Sequence, residues 1–386
     1  MDRVPLSPHH QHQASLEDII SLSNKSKALD AALRSRAEQK FYRIVRHFEA
    51  VAAVGSGSVR GSNANGGQYN RPLLVRLTYE YARSRESQDI FLRAIFHSMA
   101  LSLDSEDDID LDTDQELRAA SSKTPQLSPV VHYAILHAQG GEGREFCGTP
   151  ERVASLRGEC LGRDRHRCVI SRQFDLEEAK RRFKDNGGDA VDDDGNPLMT
   201  ADSKFAHLEV AHILPHSLTK VPGNGTDSPQ PLPPSKKAAL DILNMFDKGV
   251  AHFIEGSDID RPHNALTLTQ QHHTSFGRFD IFFEPVPDQG AHTYQIRSFL
   301  PPLFIQDLPV VRSLFLSESS SIEPPSARFL AIHRAIAHIL HLSGAGDYIE
   351  RILRDMEWKD TQENGSTELG HLVALRLAEW SSPVHT

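Results

Sequence analysis

Apolar positions recur at loosely helical intervals from Leu16 to Val54, among Lys, Arg and Glu, and predict a helical segment closing on the apolar stretch Phe48–Val54. A Gly-, Ser- and Asn-rich stretch, Gly55–Gly67, follows and reads as a flexible loop or linker. Leu73–Leu103 is a second helical stretch, with Pro72 at its head, where a missing N–H costs nothing. Asp104–Glu116 is dense in carboxylates and reads as a solvated connector, without the Gly-centred spacing of a calcium loop.

The pattern changes near Cys160. Short strand-like pieces alternate with insertions: Cys168–Ile170 and His207–Ile213 read as strands, and Leu176–Phe183 as a helix. Asn186–Pro197 reads as a loop, Thr219–Lys237, with five prolines, as an exposed insertion, and Ala238–Phe246 as a helix. Leu266–Leu268 is a further strand running into a helix or turn that carries His272 and His273. In the last third, Ser326–Leu342 places Phe329, Ile332, Ile336, Ile339 and Leu340 near one helical face, before the Gly-containing stop Ser343–Gly346. Tyr348–Met356 and Leu369–Trp380 are shorter helical candidates. His333, His338 and His341 lie on the strong helix without i,i+4 spacing and read as packing or surface residues. The expected domains are a helical segment with linker over 1–72, a helical region with the acidic connector over 73–159, a chemistry-bearing domain over 160–284 and a C-terminal helical extension over 285–386.

The 386 residues suffice for a buried core without metals or disulfides to hold it. No run of 18 apolar residues occurs, so a typical transmembrane helix and a membrane partner are excluded. Met1–Gln13 lacks the basic and apolar parts of a secretory leader. Three cysteines, Cys147, Cys160 and Cys168, form no CxxC pair, which points to a reducing, intracellular setting in nucleus or cytoplasm. Forty-two basic residues against 52 acidic ones leave a formal charge of −10. Such a chain repels phosphate as a whole, so any nucleic-acid contact must come from a local basic patch or a bound cation. Arg163, Arg165, Arg167, Arg172, Lys180, Arg181, Arg182 and Lys184 form a candidate patch, locally +4 over Arg163–Lys184, which is equally readable as a charged helix face.

Two segments concentrate chemistry, HLEVAHILPH from His207 to His216 and NALTLTQQHHTSFGRF from Asn264 to Phe279. A strand pair packed on one helix sets a strand imidazole opposite a helix imidazole. One of them binds a divalent ion and the other activates water. Phosphodiester hydrolysis needs that division, because the water must lose a proton while charge grows on the phosphoryl oxygens. GxxxxGK[ST], GxSxG and HExxH are all absent.

The order Cys168-Val169-Ile170, then VAHILP from Val210 to Pro215, then Asn264 and His273, resembles the HNH endonuclease family. Within it the chain looks closest to HNH-type domains of uncharacterised fungal proteins, through IDRPHNALTLTQQHHTSFG, ILNMFD and RFLAIHRAIAHILHLSGAGDYI. The likeness covers about Arg163–Glu284, and more loosely Leu73–Met356. It implies an α+β fold, a ββα-metal core with large insertions flanked by mainly helical regions. It also implies a metal-dependent endonuclease acting on DNA, with RNA as the alternative substrate. By position, His212 resembles the general base, Asn264 the asparagine that ties down the loop, and His273 the metal ligand on the helix. The divalent cation is Mg²⁺ first, with Mn²⁺ or Zn²⁺ as alternatives. One departure stands out: the family commonly carries a ligand directly before the base, and this chain has Ala211. Glu209, on the same strand face, and His216, beyond Pro215, are the substitute candidates. Ala211 also keeps open a catalytically inactive scaffold whose helical flanks bind a protein partner.

Overall fold

A computed structural model of the chain describes residues 28–56, 69–99, 101–103, 150–215, 240, 243–254, 256–316 and 322–347. The segments Gly57–Gly67, Asp104–Glu116, Thr219–Lys237, Tyr348–Met356 and Leu369–Trp380, and the start of the first predicted helix, lie outside the described residues. Among the described residues, no helix is long and apolar enough to cross a membrane. Backbone contacts divide the chain into two units.

The first unit draws on Met1–His137, Asp227–Ala251 and Ile339–Thr386. It holds helices α1 (Ala31–Ser56), α2 (Arg71–Glu80) and α3 (Arg85–Ser98). The single helical stretch expected over Leu73–Leu103 is thus two helices. Asn70 caps α2 by accepting from Leu73 N–H, and Ser84 caps α3 by accepting from Ser87 N–H, so the break at residues 81–84 has local partners for its loose backbone groups. Phe41 of α1 meets Tyr79 of α2 at 5.0 Å and Phe91 of α3 edge-on at 5.9 Å between ring centroids. Val45, Leu92 and Phe96 complete this core. Buried Asp89 bonds Arg34 at 2.6 Å and accepts from Leu29 N–H, anchoring the start of α1 to α3.

The second unit draws on Ala138–Thr226 and His252–His338. In chain order it has α4 (Pro150–Arg163), β1 (Phe174–Asp175), α5 (Leu176–Asn186), β2 (Phe205–Ala206), β3 (Leu208–His212), β4 (Ala265–Thr269), α6 (Gln270–Gly277), β5 (Ile281–Pro285), β6 (Thr293–Ser298), β7 (Val310–Ser313) and α7 (Ala327–Ser343). α7 belongs to this unit through His338. β1 and β2 pair in parallel, β3 and β4 antiparallel, and β5, β6 and β7 form an antiparallel sheet in that order. The mixture of helices and small sheets is an α+β architecture.

The β3–β4 pair positions the site. Its register sets Leu208 opposite Thr269, Val210 opposite Thr267 and His212 opposite Ala265. All five residues of β4 are buried, as in a strand covered on both faces, and α4 and α6 both pack on the pair. Val210 packs on Leu156 and Cys160 of α4. The first helical turn of α6 follows β4 without a loop, capped by Thr269, whose hydroxyl accepts from His272 N–H.

Two expectations need correction. Cys168–Ile170 is a turn rather than a strand: Arg172 N–H donates back to Cys168 O at 3.0 Å, while Val169 N–H reaches Thr267 O at 2.9 Å. The region after Glu284 is not purely helical, because β6 and β7 precede α7. Tyr294 and Ile296 of β6 are buried, a period-two pattern that the strong helical signal of α7 overshadowed. His333 of α7 is wholly buried, stacked on Phe276 of α6 at 3.8 Å and 4° and on Phe279 at 4.6 Å. Its Nε2 donates to Phe276 O at 3.0 Å.

Candidate functional site

Side chains alternate along β3, so Val210 and His212 share one face and Glu209 and Ala211 the other. On the α4 side, His212 Nε2 lies 3.2 Å from Asp260 Oδ1. Asp260 is nearly buried, and its other oxygen is 3.2 Å from Arg152 of α4. An ionised carboxylate only accepts, so Nε2 carries the proton and Nδ1 is the accepting nitrogen of the ring. Asp260 ends a short 3-10 turn, Gly256–Asp260, four residues before Asn264. It stands inside the IDRPHN segment of the sequence, but only the folded chain shows that it faces His212.

On the opposite face, His273 Nδ1 of α6 lies 2.6 Å from Glu209 Oε2. Both groups reach solvent in part. Ala211, on the same strand face as Glu209 and fully buried, offers a methyl group and no ligand atom. The structure therefore brings Glu209 and His273 together and pairs His212 with a different carboxylate. His212 leaves β3 on one face, while His273 of α6 meets Glu209 on the other. His216 lies outside the described residues. Among the described residues, no three or more His, Cys, Asp or Glu side chains converge as a metal-binding group.

Asn264 is fully buried and acts as a tie. Its Oδ1 accepts from Leu214 N–H, and its Nδ2 donates to Leu214 O and Ile259 O, all at 2.9 Å. Its backbone carbonyl accepts from Ile213 N–H at 2.8 Å. These bonds hold the chain leaving β3 against the chain entering β4.

His272, unlike its neighbour, faces the interior and is 2% exposed. Its Nδ1 is 2.8 Å from Thr269 Oγ1 and 3.8 Å from Cys168 Sγ, and its Nε2 is 3.4 Å from Asp307. Burial alone would lower the imidazole's affinity for a proton, but the Cys168 and Asp307 contacts outweigh it and raise the pKa. For the Cys168 thiol, burial pushes up, while hydrogen bonds with His272 and Ser171 bring the value below the ordinary one. Cys168 is fully buried, and its imidazole partner appears only in the fold.

The basic patch is largely consumed within the protein. Arg163 is a correction: its side chain has no exposure, and it bonds Asp164 at 2.8 Å, Pro262 O at 2.7 Å and Ala265 O at 2.9 Å, so it cannot meet a phosphate backbone. Arg165 pairs with Asp194, Arg167 with Asp192 at 2.7 Å, and Arg182 with Glu178 and Asp193, both at 2.7 Å. Lys180 pairs with Glu177, and Arg181 with Glu178 and Asp185. Lys184 is exposed on α5. Asp185 and Asp192–Asp194 lie just past the Arg163–Lys184 window, which is why the local positive count overstates the free charge. Arg172 bonds the backbone carbonyl of Ser313 and, among the described residues, no carboxylate.

No curated protein matches the chain, and no solved structure does. The segment holding Cys168, the β3–β4 pair, Asn264, α6 and β5 does have a counterpart: residues 168–284 match the family model of the HNH endonucleases, so the chain carries a domain of nuclease type there.

Proposed function

We propose that this protein is a metal-dependent endonuclease that hydrolyses phosphodiester bonds in nucleic acid, DNA first, from a ββα-metal core formed by β3, β4 and α6. The Glu209–His273 contact at 2.6 Å, inside the matched segment, carries this reading. A carboxylate oxygen is a ligand type for Mg²⁺ or Mn²⁺ and an imidazole nitrogen one for Zn²⁺, so their meeting at a partly exposed place is a donor pair for a divalent cation. Mg²⁺ ordinarily keeps several waters and takes one or two protein ligands beside substrate phosphate, so a two-residue donor set is sufficient and Ala211 need not contribute. Glu209 and His273 would hold the cation, which would supply positive charge for the phosphoryl and leaving oxygens.

His212 takes the proton from the attacking water at Nδ1. Asp260 holds the ring's orientation through Nε2–H and stabilises the imidazolium that results, and Arg152 holds Asp260. Asn264 keeps both strand ends in place without touching the reacting atoms. His212 stands at the last position of β3, where the chain leaves the strand pair.

Supercoiled plasmid tests the proposal. The purified chain is expected to relax it with Mg²⁺ or Mn²⁺ and not in EDTA, and His212→Ala is expected to abolish the cutting. Cutting that survives in H212A rejects the assigned base. A folded protein that fails to cut in the presence of Mg²⁺ or Mn²⁺ leaves the inactive scaffold in its place.

A further inference from the structure

Arg172, within the sequence-defined patch, keeps a buried guanidinium nitrogen without a hydrogen-bond partner among the described residues. Its backbone sits at φ +63°, a region that glycine enters freely and that strains a residue carrying Cβ. Its Nη2 donates to Ser313 O of β7, while its Nη1 is shielded from solvent and has no hydrogen-bond partner among the described residues. Arg312 answers from β7, donating Nε to Ile170 O at 2.7 Å and Nη1 to Val311 O at 3.2 Å. Each guanidinium thus reaches across one junction, between the 168–173 turn and β7, and no carboxylate pairs with either among the described residues. The Phe315 ring covers the same place, 4.1 Å from the Arg172 guanidinium carbon and 5.2 Å from that of Arg165.

Two like charges at a partly buried junction repel. Burial first, and Arg312 second, push the Arg172 pKa down to about 10. An unpartnered N–H on a shielded cation is expensive, and an anion removes both costs together.

We propose that Arg172 and Arg312, beneath Phe315, form a binding site for a phosphate group. The nuclease reading is needed only to name the phosphate's carrier, which would then be the backbone of the nucleic-acid substrate; a free phosphate or phosphorylated small molecule has the same chemistry.

The test uses the full chain in EDTA, so that no cutting occurs. Binding of a fluorescently labelled DNA duplex is followed by anisotropy across a salt series, for wild type, Arg312→Gln and Arg172→Gly. Loss of one phosphate contact is expected to weaken binding about tenfold and to reduce the salt slope by about one. Arg172→Gly also relieves the positive φ, so its Tm is expected to hold or rise while binding falls. In a second arm, inorganic phosphate is expected to raise the wild-type Tm more than chloride at equal ionic strength, and to lose that effect in both variants. A lost phosphate effect with unchanged duplex binding assigns the site to a free phosphate. Duplex binding and phosphate effect both unchanged in the two variants overturns the site. A wild-type chain that fails to cut plasmid rejects the nuclease reading and leaves these binding results standing.

Discussion

Glu209 and His273 stand 64 residues apart in sequence, yet the first turn of α6 lays the imidazole 2.6 Å from the carboxylate on β3. If this pair holds the cation, each half is needed. Calorimetric titration of Mn²⁺ into Glu209→Gln and His273→Ala is expected to show at least about tenfold weaker binding than wild type, the scale on which metal sites respond to lost partners. Equal affinities in the three proteins would remove the pair from the metal site.

His333 makes stability depend on acid. Burial pushes its pKa down to about 3, so the native imidazole stays neutral where the unfolded chain, with a histidine value near ~6.5, takes up a proton. Stability from this group is complete above about pH 6.5 and declines as the pH falls from there towards 3. His333→Gln keeps a donor for Phe276 O and cannot titrate. Its Tm is expected to lie below wild type at pH 7 and to fall less steeply between pH 6 and pH 4. Parallel Tm profiles would show that the imidazole does not charge on unfolding.

Asn264→Ala leaves Leu214 N–H, Leu214 O and Ile259 O without their partner inside the protein. The expected loss is about 2–4 kcal/mol of stability, since each buried group left unpaired costs about 1–3 kcal/mol and some relax towards water. Chemical denaturation measures it. Unchanged stability with lost activity would instead give Asn264 a direct chemical role.

Arg163→Met separates a structural cation from a nucleic-acid contact. It strands the Asp164 carboxylate, itself fully buried and also bonded by Thr267 N–H at 3.2 Å. A loss of about 3–5 kcal/mol is expected, as for other buried ion pairs broken from one side. Where the variant stays folded, its DNA affinity is expected to equal that of wild type. A selective fall in DNA binding at full stability would contradict the buried placement.

Much of the site's framework was legible before folding. The strand HLEVAHI with His212 on it, and the strand Leu266–Leu268 running into a helix or turn with His272 and His273, follow from local pattern, because strand and helix periods are written in neighbouring residues. Glu209 as the group sharing a face with Ala211 followed from strand alternation in the same way. The N-terminal helical stretch was legible too, but the reading over Leu73–Leu103 ran through the break at residues 81–84, where Ser84 caps the second helix.

What the linear chain could not express is which polar groups meet. The pairing of His212 with Asp260, the tie of Cys168 to His272 and the consumption of Arg165, Arg167 and Arg182 by Asp192–Asp194 all join residues from separate elements. Sequence alone determined the residue types and the local elements that carry them, because those depend on short-range sterics and hydrophobic period. Tertiary structure alone decided that Arg163 is interior, that Arg172 and Arg312 share one junction, and that His273 of α6 meets Glu209 on the face of β3 opposite to that of His212. A side chain's partners are set by long-range packing, and a charge counted along the chain carries no record of the carboxylate that folding brings against it.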